Sequence, residues 1–392
     1  MIMKIAVVCD SFKGSLTSKD ACAAVKDGLL RCNKNFEVLS LPFADGGEGT
    51  SRCFYDILGG QLRKAAVHDP LLREITAEYT VLPDGTAVID VASASGLTLL
   101  KSSERDAVKV SSLGSGELIC DAAEHGAKHI ILGLGGSATT DAGTGILYAL
   151  GMRFFSEDGV EVLPDGQNMI RVKKIRRTEN FERFKDIKFT LACDVTNPLC
   201  GENGAAYVFS PQKGASKNDV KLLDDGLRNI GEIFEKASGK KIINLPGAGA
   251  AGGIGGGLSA FLNCELQSGF DVLARAASLE DKIRRSDAVI TGEGKTDRQT
   301  LFGKLPKRVS DIAEKFGVPC ILLSGDVEND ISAEKLGVCE IHKIKENGIS
   351  LEHCMKNAAS LLSEKAFAIG KNSKIINKQY SRKQEKMREN ER

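Results

Sequence analysis

At 392 residues the chain is longer than one ordinary compact core, so two domains are expected. Apolar content of 42% and charged content of 27% fit a soluble globular protein. A formal net charge of +1 removes the electrostatic argument for a nucleic-acid or strongly acidic partner.

No apolar run approaches the ~20 residues needed to span a bilayer. The eleven cysteines are scattered, odd in number and free of any Cys-x-x-Cys pattern, which predicts reduced thiols and a cytoplasmic location. Glycine, at 42 of 392 residues, exceeds its usual ~7% and is clustered, so its placement is positional.

In chain order, Lys4 to Cys9 predicts a first strand; its apolar core, Ile5 to Val8, is too short for a signal peptide. The loop Asp10-Ser11-Phe12-Lys13-Gly14-Ser15 follows. Ala21, Ala24, Val25, Gly28 and Leu29 then recur at helical spacing. Ala77 to Val81 and Thr86 to Val91 flank Leu82-Pro83-Asp84-Gly85, a hairpin signature. His129 to Leu134 predicts a strand running into a glycine-rich loop at 135–145 and a helix through Leu150. Residues 187–192 and 205–209 read as further strands, and Ile242 to Leu245 as another candidate. Leu258 to Leu262 runs into Phe270 to Arg275 as continued helix. Asp287 to Thr291 and Pro319 to Leu323 are apolar runs that end at glycine and acid loops.

Near-continuous apolar strands alternating with helices predict α/β architecture, with parallel sheet covered on both faces. The expected organisation is a Rossmann-like or flavodoxin-like parallel-sheet domain in two segments, 1–70 and 284–370. A mixed α/β domain is inserted at 71–283, and a charged tail at 371–392 is expected to be solvated. In such sheets ligands bind at the carboxyl ends of strands, where these loops fall.

Three loops place glycines beside acids and hydroxyls: 44–50 (ADGGEGT), 135–145 (GGSATTDAGTG) and 291–297 (TGEGKTD). Glycine lets backbone N–H groups approach an anion, and neighbouring carboxylates can hold a hard cation that bridges to a phosphate. Metal-assisted phosphoryl transfer is therefore the leading reading.

Each motif also has a plainer explanation. Gly247-Ala248-Gly249-Ala250-Ala251-Gly252 matches the dinucleotide fingerprint G-x-G-x-x-G, but its glycines serve equally for close packing or for approach to a phosphate. Gly294-Lys295-Thr296 lacks the first glycine of a P-loop, since Val289 stands there. Glu293 and Asp297 suit a metal or a solvated turn. Ser11, Lys13 and Ser15 could grip an anion, or Ser15 and Thr17 could simply cap a helix. Asp194, followed by Asn197-Pro198, could be a base, a metal ligand or part of an Asx turn. None of the five histidines has metal-ligand spacing.

The stretches DSFKGSLTS from Asp10, PFADGGEGT from Pro42, ASASGL from Ala92 and LGLGGSATTDAGTG from Leu132 occur in this order. ACDVTNPLCGENGAAYVFSPQKGAS from Ala192, PGAGAAGGIGGGL from Pro246 and TGEGKTDRQTLFGK from Thr291 follow. Together they resemble the bacterial glycerate kinase family from Met3 to about Gly370. Thr140 and Lys295 depart from it, standing where Asn and Arg are common.

The resemblance implies ATP-dependent, Mg²⁺-assisted phosphorylation of D-glycerate in a cleft between two α/β domains, at the 2-hydroxyl, with the 3-hydroxyl left open. Monomer and homodimer are both compatible with it. Within that reading Asp10, Lys13 and Asp194 are the catalytic candidates. Asp45, Glu48, Glu293 and Asp297 are candidates for the metal. Ser11, Ser15, Gly46, Gly47, Gly135, Gly136, Ser137, Thr139, Asn197, Gly249, Gly252, Gly253 and Lys295 are candidates for substrate and nucleotide. The alternatives are a kinase of another small hydroxy acid, an NAD(P)-dependent oxidoreductase built on the 247–252 loop, and a non-catalytic nucleotide-binding regulator.

Overall fold

The computed structural model describes residues 2–44, 46–346 and 348–390, except for the side chains of 384–390. The chain forms two compact units, Met1–Asp45 with Leu273–Arg392, and Gly46–Val272.

The first unit is built on five parallel strands, Met3–Cys9, Phe36–Pro42, Ala288–Gly292, Cys320–Ser324 and Glu340–Lys343. Counted in chain order they lie 2-1-3-4-5 across the sheet, the flavodoxin-like arrangement. Ala288–Gly292 and Cys320–Ser324 are buried along their whole length, which is why they read as unbroken apolar runs rather than as alternation. Ile5, Val7, Ala288 and Ile290 share one core with helices Ser18–Cys32 and Ala358–Asn372. Those two helices touch backbone to backbone: a Cβ on Gly28 would lie 2.1 Å from the carbonyl oxygen of Ser363. Thr17 Oγ1 accepts the Asp20 amide at 3.1 Å and caps the first helix, as its sequence suggests.

The basic tail corrects the expectation of a solvated segment. Lys374–Asn390 is a helix. Ile376 is fully buried, and Tyr380 meets Phe36 edge-on with ring centroids 6.0 Å apart. Lys383 Nζ pairs with Asp287 at 2.5 Å and donates to the Ile2 carbonyl at 2.8 Å. Ile376, with Ile375 and Tyr380 packed against the same core, docks the helix although lysines and arginines surround them.

The second unit carries a six-stranded sheet in the spatial order Asn263–Gln267, Lys188–Ala192, His129–Gly133, Ala87–Asp90, Glu74–Val81 and Gln61–His68. The first four are mutually parallel, and the last two are joined on antiparallel. The expected hairpin is present, with Thr80 opposite Val88. Helix Thr50–Leu58 and strand Gln61–His68 belong here, so the division falls after residue 45 rather than after 70. The eight-residue antiparallel ladder between Gln61–His68 and Glu74–Val81 ties that segment to this sheet.

Three local expectations are also corrected. Ala205–Phe209 is helix, not strand. Ile242 to Leu245 is turn and coil. Between the two predicted helical stretches lies a strand, Asn263–Gln267, paired parallel with Lys188–Ala192. Among the described residues, no helix is long and apolar enough to cross a membrane.

Replacing the buried Ile376 by Ala should lower stability by about 2–5 kcal/mol, the usual range for an aliphatic core truncation. The shift of the urea unfolding midpoint measures this; a change within about 0.5 kcal/mol, as for an exposed residue, would contradict the docked helix.

Candidate functional site

In the first unit, the central strand Met3–Cys9 leaves the sheet at Asp10, and its neighbour Ala288–Gly292 leaves at Glu293. These adjacent strands lead their chains to opposite sides of the sheet, which opens a crevice at their carboxyl ends. A pocket of about 540 Å³ occupies this place. Asp10, Ser11, Lys13, Ser15, Glu293, Lys295 and Asp297, far apart in sequence, all line it.

The loops are brought together by glycine. A Cβ on Gly294 would lie 3.2 Å from Phe12 Cα, a tight contact, and one on Gly325 would lie 2.1 Å from the Gly294 carbonyl oxygen. Asp10 Oδ1 accepts the Ser11 amide at 2.6 Å. Glu293 is 5% exposed, and its carboxylate accepts Thr300 Oγ1 at 2.7 Å. Burial pushes its carboxyl above the usual range, against the hydrogen bonds of Thr300 and Thr296.

Asp297 caps the short helix Arg298–Leu301 through the amides of Gln299 and Thr300, and pairs with Lys304 at 3.2 Å. Burial opposes ionisation of Asp297, but Lys304 and the capping amides outweigh it and hold the carboxyl below its ordinary value. Thr300 therefore links the two acids, donating its hydroxyl to one and its amide to the other.

Sequence reasoning passed over Lys304, Asp326 and Lys345, which also line the pocket. Their signal was position alone: Asp326 follows the apolar strand Cys320–Ser324 just as Asp10 and Glu293 follow theirs. Lys295, Lys304 and Lys345 are paired with Glu328, Asp297 and Asp326. Among the described residues, no carboxylate lies within ion-pair distance of Lys13.

The remaining candidates among the described residues lie in the second unit. Gly135 and Asp194 follow neighbouring parallel strands, His129–Gly133 and Lys188–Ala192. Gly135 donates its amide to the Gly46 carbonyl at 3.1 Å, and a Cβ there would lie 2.4 Å from Gly47 Cα. The glycine loops at 46–49 and 135–136 thus cross in direct backbone contact. Asp90, buried beneath them, accepts the amides of Gly49 at 2.9 Å and Ser51 at 3.0 Å. Burial pushes its carboxyl up to about 7, against those two amides. Glu48 is exposed and accepts Thr98 Oγ1 at 3.3 Å. Asp45 lies outside the described residues. Among those described, no group of three or more His, Cys, Asp or Glu has the form of a metal site.

Gly249, Gly252 and Gly253 are buried against other backbone rather than facing open space. A Cβ on Gly252 would lie 2.0 Å from the Thr139 carbonyl oxygen, and one on Gly249 would lie 2.4 Å from that of Pro198. The Gly249 amide donates to the Asn197 carbonyl at 3.0 Å, which fixes the Asn-Pro turn beyond the exposed Asp194. Here the 247–252 loop packs turns together. It lacks the preceding strand that a dinucleotide fingerprint requires.

Lys213 escaped sequence reasoning, although a lysine amid small and apolar residues is a usable signal. It is 3% exposed, and its ammonium donates to Ser137 Oγ at 3.0 Å and to the Thr139 carbonyl at 2.6 Å. It therefore holds the 137–139 loop from behind. Thr139 Oγ1, also buried, has no hydrogen-bond partner among the described residues. Burial pulls the Lys213 ammonium down to about 7, with the charge of Asp141 opposing. Asp141 is itself fastened to the Ser112 amide and hydroxyl at 2.9 and 2.7 Å.

Because the folded pKa of Lys213 lies below its ordinary 10.5, the unfolded chain holds more protons between pH 7 and 10.5. Stability at this position therefore rises with pH across that window. Urea midpoints of the wild type should gain on those of Lys213→Met between neutral and alkaline pH; parallel curves would refute the buried ammonium.

Comparison with known proteins agrees with this frame. Residues 5–374 match the sequence model of the glycerate kinase family. The chain is 38% identical over 364 residues to a glycerate kinase of Halalkalibacterium halodurans, covering 92% of this chain and 96% of the relative. It is 41% identical over 330 residues to a glycerate 2-kinase of Escherichia coli K12, covering 84% and 87%. A crystal structure from Salmonella typhimurium LT2, assigned as glycerate kinase 2, superposes with a TM-score of 0.83 at 34% identity, covering 94% of this chain and 98% of that one. The chain belongs to the glycerate kinase family.

Proposed function

We propose that the protein is a glycerate kinase, transferring the γ-phosphoryl group of ATP to the 2-hydroxyl of D-glycerate with Mg²⁺. The observation that carries this reading is the convergence of Asp10, Lys13, Glu293, Lys295 and Asp297 on one pocket at the carboxyl ends of parallel strands, in a chain of this family. Phosphoryl transfer needs positioning and neutralisation of spread negative charge, and these residues supply both.

Glu293 suits a hard cation: it is a nearly buried carboxylate whose partners are hydroxyls, and its raised pKa reflects charge in want of compensation. Glu293 and Asp297 would hold Mg²⁺, which when bound neutralises phosphate charge. One or two carboxylates together with phosphate oxygens are an ordinary set for this ion. Lys13 and Lys295 stabilise the phosphates from the protein side.

Asp194 accepts the proton of the reacting hydroxyl. It stands at a strand's carboxyl end beside the Asn197-Pro198 turn and next to the strand that feeds the Gly135–Ser137 loop. That loop, with Lys213 behind it, supplies amide and hydroxyl donors for the glycerate carboxylate. Asp10 already binds the Ser11 amide and orients the loop that carries Lys13.

Rapid ADP release in the presence of Mg·ATP and D-glycerate, with 2-phosphoglycerate identified by ³¹P NMR, is the expected result. Turnover confined to another hydroxy acid would overturn the substrate assignment. Asp194→Asn should lower kcat by at least about 10²-fold, with ATP binding retained; near-normal turnover would eliminate it as the base.

A further inference from the structure

We propose that the pocket at the switch point of the first unit is the nucleotide site, taking a purine nucleoside triphosphate with its base on the wall formed by Leu351 and Met355 and its phosphates at Lys13. This rests on the kinase reading, which gives the acid acceptor to the second unit's loops, and adds to it the residues that receive the base.

Size is the first argument. About 540 Å³ lies within the ~300–1,000 Å³ usual for sites of drug-sized ligands. A three-carbon acid would leave most of that space to water.

Chemistry is the second. Glycerate has almost no apolar surface, yet one side of the pocket is apolar. Phe12 and Ile344 are buried in it, while Leu351 and Met355 remain 61% and 38% exposed. Large side chains left in water at a pocket wall gain by being covered, and the faces of a purine ring cover them. The two lie four residues apart on the helix Leu351–Lys356, so they present a single face.

The third argument is charge and its position. Lys295, Lys304 and Lys345 already have carboxylate partners, whereas Lys13 has none among the described residues. Lys13 is exposed and is followed by Gly14 at φ 78°, where a Cβ would lie 2.9 Å from Met355 Cε. The loop bearing the cation thus passes directly beside the apolar wall. Flavodoxin-like sheets bind their ligand at the junction of the first and third strands, which is where this pocket lies.

The test is titration of the full-length protein with a fluorescent (N-methylanthraniloyl) ADP plus Mg²⁺, without glycerate, on wild type, Met355→Glu, Leu351→Asp and Lys13→Ala. Both wall residues are solvent-exposed, and circular dichroism checks that the variants fold. The wall variants should weaken ADP binding at least about tenfold, or 1.4 kcal/mol, and raise the KM for ATP while leaving that for glycerate within about twofold. Lys13→Ala should weaken ADP more than adenosine. Unchanged ADP affinity in folded wall variants would overturn the proposal, as would a rise in the glycerate KM alone. Because the titration contains no acceptor, weakened ADP binding would uphold the site even if glycerate proved not to be the substrate.

Discussion

A buried β-strand must pair both of its edges. Met3–Cys9 does so only when Phe36–Pro42 lies on one side and Ala288–Gly292 on the other. The first partner is nearby in sequence; the second arrives after the whole Gly46–Val272 unit has been traversed. That single pairing makes the first unit discontinuous and gives its sheet the 2-1-3-4-5 order. It also sets the loop starting at Asp10 beside the loop starting at Glu293. The pocket follows from backbone hydrogen bonding before any functional side chain is considered.

Glycine acts in two distinct ways around these loops. At Gly135, Gly294 and Gly325 it allows separate turns to touch, so that side chains from remote segments share one space. At Gly249, Gly252 and Gly257 it is buried and lets helix and turn backbones interlock. Sequence reasoning placed Gly135 together with Gly249 and Gly252 as candidates for substrate and nucleotide, because composition cannot distinguish a glycine that faces a ligand from one that faces a carbonyl. Asp90 and Asp141 show the same ambiguity in acids. Each is wholly enclosed and holds backbone amides of a glycine loop in place.

Legibility followed burial. Strands covered on both faces, such as Ala288–Gly292 and His129–Gly133, were apparent as apolar runs, and Pro83-Asp84-Gly85 marked its hairpin. Gln61–His68 was missed because it is an edge strand with a single buried side chain, Val67, and its alternation is faint. Ala205–Phe209 carries Tyr, Val and Phe, strand formers by propensity, yet packing holds it as helix. The docked tail was obscured by its charge: Ile376 and Tyr380, four residues apart, are one helical face, visible only if the lysines around them are set aside. Of the residues that line the pocket, Asp10 and Glu293, which follow strands, were singled out from the sequence, whereas Asp326, which also follows one, was passed over. Lys213 and Lys304 were passed over too, since their roles depend on which loops meet in space.

The clasp of the final helix on the opening strand has a consequence for biosynthesis. The strand Met3–Cys9 is translated long before its partner Ala288–Gly292 and the covering helix Ala358–Asn372. The six-stranded sheet between them is contiguous and can assemble while translation continues. Until those segments are made, Met3–Cys9 is an apolar strand with one unpaired edge, a hazard that comes from pairing strands so remote in sequence.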